Sequence, residues 1–296
     1  MAENEPPPPL TASGEDSMNR HDLTLVLGGT GKTGSRLVQL LTGRDLPVRI
    51  GSRSGGVPFD WEDRATWGPA LDGVRSVYIS YYPDLAVPGA PETVGAFAEL
   101  AVAKGARRLV LLSGRGEEEA AATEKAVAAT GADLTVLRAA WFAQNFSESY
   151  LLDPVLGGEV ALPARDVREP FVDAGDLAEA AAAVLTEDGH VGRTYELTGP
   201  RLLTFAEAVA AIAAAAGREV RYVPVPPADF TAGLAAEGVP QGVTDLLTYL
   251  FTSVLDGRNE YVDDGVRQIL GRPARDFTDY ARDTAATGVW NPKDAS

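Results

Sequence analysis

Three glycines at a spacing of three, Gly28, Gly31 and Gly34, follow the apolar run Leu23–Leu27 and precede Leu37, Val38, Leu40 and Leu41 at helical spacing. A strand, a tight turn and a helix in that order bring free backbone N–H groups and a positive helix-dipole end to one point, which is the chemistry of pyrophosphate binding. Gly28 permits the sharp exit from the strand, Gly31 lets a diphosphate reach the backbone with no Cβ in the way, and Gly34 lets the helix pack closely. Thr30, Lys32 and Thr33 fill the turn and are expected around the phosphates. Gly31-Lys32-Thr33 also imitates the end of the triphosphate loop G-x-x-x-x-G-K-[ST]. That loop needs glycine at position 26, where Val26 continues the strand. The turn is expected to hold a dinucleotide.

A second polar cluster follows the next strand, Leu46–Ile50, as Gly51-Ser52-Arg53-Ser54. Sites for NAD usually carry an acid here to bind the ribose 2′-hydroxyl. This chain has Arg53 instead, a planar cation between two hydroxyls, Ser52 and Ser54, which suits a 2′-phosphate. NADP(H) is the expected cofactor. A third feature is the stripe Val243, Leu246, Leu247, Leu250, Phe251, Val254 and Leu255, which reads either as ordinary packing or as a helical lid over an apolar ligand. In the second case Leu247 and Phe251 would touch that ligand.

These groups need a scaffold, and the chain supplies alternating elements. Strands are expected at Val74–Ser80, Arg108–Leu112, Leu134–Leu137 and Thr194–Leu197, with helices over Pro91–Lys104 and Glu117–Thr130. That alternation is the βαβ pattern of an α/β fold with a doubly wound parallel sheet. Asp176 to Glu179 and Thr204 to Glu207 read as capping boxes opening alanine-rich helices, and Glu219–Val225 as a further strand before a helical excursion from Pro226. Residues 1–20, rich in proline and acids, are expected to be a disordered tail. Residues 21–150 form the cofactor-binding core, and 151–296 the remaining core strands with a smaller, mainly helical substrate-binding part whose lid spans about 226–257.

Composition narrows the classes. Among 296 residues there is no cysteine and only two histidines, His21 and His190, so thiolate chemistry, a Ser-His-Asp triad and multi-histidine metal sites fall away. A net charge of −16 repels nucleic acid. No apolar run is long enough to span a bilayer and no signal peptide is visible, so a cytoplasmic enzyme, monomer or homodimer, is expected.

The ordered set Gly28-x-x-Gly31-x-x-Gly34, Asp60-Trp61, Leu137-Arg138-Ala-Ala-Trp141-Phe142-Ala-Gln144-Asn145-Phe146 and Pro170-Phe171-Val172-Asp173-Ala-Gly-Asp176 resembles the atypical short-chain dehydrogenase/reductases. Within them it resembles the NmrA-like group, which includes NADPH quinone reductases, over about 21–290. The resemblance implies a Rossmann core, with Asp60 and Trp61 at the adenine. It implies Ser80, Tyr81 and Tyr82 along the ribose and nicotinamide, and Ala140, Trp141 and Phe142 beside the nicotinamide. Tyr82 and Asn145 would then also meet the substrate.

Most reductases of that superfamily use Ser, Tyr and Lys. Ser113, closing its strand, is the counterpart of the serine. If Lys125 is the lysine, the tyrosine position is Ala121; if Glu124 matches the later glutamate, it is Gly116. Either register lacks the tyrosine acid. Hydride delivery to a simple ketone makes a basic alkoxide that needs a proton donor. A quinone needs little help, and a polycyclic aromatic ketone with a neighbouring phenol can stabilise its own oxyanion. Both are flat and apolar, as is the expected partner, and certain angucyclinone ketoreductases of antibiotic pathways belong to this class. The resemblance therefore implies an NADPH-dependent, substrate-assisted ketoreductase, with a quinone reductase or a non-catalytic NADP-binding regulator as alternatives.

Overall fold

The computed structural model describes residues 22–292; the expected tail 1–20, with His21, lies outside the described residues. The strands in chain order are β1 (Leu23–Leu27), β2 (Val48–Ser52), β3 (Val57–Pro58), β4 (Val74–Ile79), β5 (Arg108–Gly114), β6 (Asp133–Ala139), β7 (Glu159–Leu162), β8 (Arg168–Glu169), β9 (Thr194–Leu197), β10 (Leu203–Thr204) and β11 (Arg221–Pro224). Seven of them form one parallel sheet in the order β3-β2-β1-β4-β5-β6-β9. The order reverses beside β1, the switch point at which open α/β sheets bind ligands.

Burial on both faces explains the near-continuous apolar strands: Leu25, Val26 and Leu27 of β1 are wholly buried. One face packs on the helix Ala90–Ala103, whose Val94, Phe97 and Ala101 meet Leu25, Val77 and Leu109. The other carries the helices Lys32–Thr42 and Ala174–Thr186. Six of the ten buried residues of the second are alanine, and small side chains bring a helix close to a sheet and to a neighbouring helix. Asp176 does not cap it. The helix opens earlier, with Asp173 accepting from Gly175 N at 2.6 Å, and Asp176 lies buried in the first turn against Arg272 and the Arg275 N–H. The Thr204–Glu207 box is present as read, with both reciprocal bonds.

The C-terminal part has its own core. Phe146, Phe171, Phe205, Phe251, Phe277 and Trp290 pack together above the sheet's carboxyl edge. It also contains two small ladders, parallel β7–β11 and antiparallel β8–β10, so the strand read at Glu219–Val225 joins β7 and not the main sheet. The segment expected to be a lid consists of the helices Pro227–Ala236 and Gln241–Tyr249, the second running into a π-helical turn at Leu250–Val254. Among the described residues no helix is long and apolar enough to cross a membrane.

Candidate functional site

One cavity of about 720 Å³ lies beyond the carboxyl ends of β1, β4, β5 and β6. Every residue expected at the cofactor or substrate lines it, with two exceptions, Gly34 and Phe251. Gly34 is buried behind the turn. A Cβ there would stand 2.2 Å from the Gly28 carbonyl oxygen, so its role is packing of helix on strand. Phe251 is 1% exposed and corrects the lid reading: it belongs to the C-terminal core, 4.7 Å from the Trp141 ring and 5.6 Å from Phe205. Leu247 does face the cavity, together with Val243, Leu246, Leu250 and Val254. The apolar stripe is therefore both lid and core, one edge to each.

The glycine turn has the shape of an anion cradle. Gly28 has φ +64°, which favours glycine. A Cβ at Gly31 would meet only the Gly28 carbonyl oxygen, at 3.2 Å, so no packing within the chain requires glycine there and the open side faces the cavity. The helix Lys32–Thr42 has no side-chain cap and no acid in its first turn, which leaves its dipole for a bound anion. Thr33 is buried and its hydroxyl accepts from Tyr78 of β4 at 2.9 Å, tying the turn to the neighbouring strand. Lys32 is half-buried; desolvation lowers its ammonium pKa, with Glu148 opposing.

At the far end of β2 the hydroxyl of Ser52 is spent on its own loop, accepting from the N–H groups of Ser54 and Gly55 and donating to the Gly55 carbonyl. Arg53 is exposed, lies 4.6 Å over the Tyr82 ring, and is a cation on the cavity wall with no ion pair among the described residues. Asp60 closes the turn after β3, accepting from Glu62 N, while Trp61 stands edge-on to Tyr81 at 4.9 Å. If Arg53 meets a 2′-phosphate, titration of Arg53→Ala will show NADPH affinity reduced about ten- to a hundredfold, with NADH binding unchanged. Equal wild-type affinities for the two cofactors would remove the assignment.

Ser113 is buried at the end of β5, and its hydroxyl donates to Glu124 at 2.7 Å. Glu124 is clamped in turn by Arg138 through bonds of 2.8 and 2.6 Å. The serine proton is committed to that carboxylate, so Ser113 offers the cavity lone pairs but no donor. Neither Gly116 nor Ala121 brings a phenol here, and Lys32 is the only lysine on the cavity wall. Tyr150 lines the wall, but burial first and the nearby Asp84 second push its phenol far above the ordinary range. Without a lysine to oppose that shift it is a poor acid at neutral pH.

Among the polar residues on this wall that sequence reasoning missed are Asp84, Arg115, Glu117 and Glu169. Asp84 and Glu117 hydrogen-bond to each other. Burial raises both carboxyls, and their mutual repulsion raises Glu117 further, so the pair holds a proton. The Glu117 carboxyl folds back over Gly114, where a Cβ would lie 2.2 Å from its Oε1. Arg115 and Glu169 are 3% and 1% exposed, and Arg115 Nη1, Glu117 Oε2 and Glu169 Oε2 are buried without a partner. Each such atom costs about 1–3 kcal/mol of folding stability. The partners come from segments far apart in the chain, and no local pattern marks them.

No family model matches the chain. An NAD(P)H azoreductase of Xenophilus azovorans is 30% identical over 288 residues, which cover 89% of this chain and 98% of the azoreductase. Among solved structures, the triphenylmethane reductase of a Citrobacter species, complexed with NADP(H), superposes with a TM-score of 0.70 at 21% identity, covering 88% of this chain and 99% of its own. An NADPH-dependent quinone oxidoreductase of Escherichia coli, complexed with NADPH, gives a TM-score of 0.70 at 24% identity, covering 87% and 98%.

Proposed function

The chain belongs to the NmrA-like group of atypical short-chain dehydrogenase/reductases, and from that membership we propose that it is an NADPH-dependent reductase of polycyclic aromatic ketones. The carrying observation is that one cavity runs from an uncapped helix N-terminus, past Trp141 and Phe142, to the apolar wall of Leu246, Leu247 and Leu250. A dinucleotide and a flat ring system fit that sequence of surfaces. The relatives named as an azoreductase, a triphenylmethane reductase and a quinone oxidoreductase are named for conjugated substrates, which supports a conjugated ring system here.

NADPH supplies a hydride when bound. The chain's residues seat its phosphates on the Gly28–Gly34 turn, offer Arg53 to the 2′-phosphate and wall the reacting face with Trp141 and Phe142. Bound NADPH would deliver that hydride to the carbonyl carbon, and the proton the oxygen then needs would come from the substrate's own neighbouring phenol and be restored from solvent, because the Ser113 hydroxyl is committed to Glu124. Quinone reduction is the second reading. It is favoured by the same lack of a tyrosine–lysine pair, since the anion of a reduced quinone is delocalised and needs no strong donor.

Consumption of NADPH with quinones and with phenol-flanked polycyclic ketones tests the proposal. Turnover of ketones supports the first reading, turnover of quinones alone the second, and no turnover of either defeats both.

A further inference from the structure

Among the described residues four buried side-chain atoms lack a hydrogen-bond partner, and three of them belong to residues lining the same cavity: Arg115 Nη1, Glu117 Oε2 and Glu169 Oε2. Unpaired groups of this kind collect at sites that a ligand completes. The position of the first is fixed. Arg115 follows β5, donates from Nε to Glu196 at 3.0 Å and from Nη2 to the Tyr261 carbonyl at 3.4 Å, and stacks on the Tyr261 ring at 4.3 Å. With the rest of the guanidinium held, Nη1 is a fixed donor. Glu169 sits on β8, and its carboxyl is pushed up to about 8 by burial, with Arg115 opposing and Glu260 adding to the rise. Protonated or ionised, it keeps an acceptor oxygen.

Charge decides what these two atoms await. The Arg115 cation is already balanced by Glu196, and the surrounding wall adds the carboxyls of Glu117, Asp84 and Glu169. A carboxylate or phosphate on the ligand would find no unbalanced cation to receive it, since Arg115 is paired with Glu196. A neutral hydroxyl suits both atoms, because its oxygen accepts one hydrogen bond while its proton is donated in another. Resting on the reductase reading, we propose that this end of the cavity is a subsite for a ring hydroxyl of the aromatic substrate, separate from the phenol beside the reacting carbonyl. The oxygen of that hydroxyl accepts from Arg115 Nη1 and its proton goes to Glu169 Oε2. The substrate is thus a polyhydroxylated ring system.

The test uses three polycyclic ketones that share the reacting carbonyl and its neighbouring phenol and carry hydrogen, hydroxyl or methoxyl at one ring position away from them. Wild-type enzyme should give kcat/KM for the hydroxyl compound at least about tenfold above the other two. Glu169→Leu should erase that preference, read as the ratio of kcat/KM between the hydroxyl and hydrogen compounds, and Glu169→Gln, which keeps an acceptor, should retain most of it. Melting curves on both variants identify one that fails to fold, and the wild-type series decides alone in that case. Wild-type kcat/KM alike for all three compounds would mean that ordered water satisfies these atoms, and the subsite is overturned; so would an equal loss on all three in folded Glu169→Leu. Absence of NADPH consumption with every compound, alongside measurable NADPH binding, would overturn the reductase reading itself and the subsite with it.

Discussion

Gly31→Val is expected to abolish NADPH binding and leave the apo fold standing. Gly31 has extended backbone, φ −86° and ψ −179°, which valine adopts readily. Its Cβ would find only the Gly28 carbonyl oxygen at 3.2 Å, with the cavity on the other side. The melting midpoint should therefore move by no more than about 2 °C, as for an exposed substitution in a chain of this size. The branched side chain would occupy the space of the diphosphate, and affinity should fall by more than about a hundredfold, or some 3 kcal/mol. Gly34→Val is the contrasting control. Its Cβ would meet the Gly28 carbonyl oxygen, carbon and the Gly29 Cα, all within 3 Å, and the fold itself should lose on the order of 3 kcal/mol. Unaltered NADPH binding in Gly31→Val would mean that the turn does not seat the phosphates.

Methylating the phenol beside the reacting carbonyl is expected to slow the hydride step by about 10²- to 10⁴-fold, the usual worth of a positioned proton donor. The cavity leaves the substrate that task. The Ser113 proton is held by Glu124, the Tyr150 phenol is pushed up by burial, and no lysine accompanies it. Single-turnover rates for the free and methylated ketones, with NADPH affinity measured alongside, give the comparison. Similar rates for the two would end the substrate-assisted reading. The proton would then come from a group of the wall itself, and the buried carboxyls of the Asp84–Glu117 pair and Glu169, raised by burial, are the first to test.

What could be read from the sequence was local. The glycine turn, Arg53 after β2 and the alternation of strands and helices depend on neighbours within a few residues, and each is where periodicity put it. The Asp176 box misled because Asp173, three residues earlier, offers the same chemistry and wins by lying just outside the helix. Helical spacing found the stripe at 243–255, but a stripe that wide faces two neighbours, and spacing alone does not say that Leu247 turns to the cavity and Phe251 to the core. Arg115, Glu169 and Glu196 are unreadable for a different reason. They come from three separate segments and meet only through tertiary packing, and alone each looks like an ordinary surface charge.

The division of the stripe between cavity and core bears on how a large molecule enters and leaves. Phe251 is wedged among Trp141, Phe205 and Phe230, so the inner helix Gln241–Tyr249 is anchored at its C-terminal end. The outer helix Pro227–Ala236 buries no residue fully and is held by Phe230 and by the Thr231–Thr248 hydroxyl contact. Lifting the outer layer sacrifices far less apolar contact than swinging the inner one. On the proposed function, recognition and traffic would fall to different helices: the anchored wall would judge the shape of the ring system, and the outer helix would govern how fast it is exchanged.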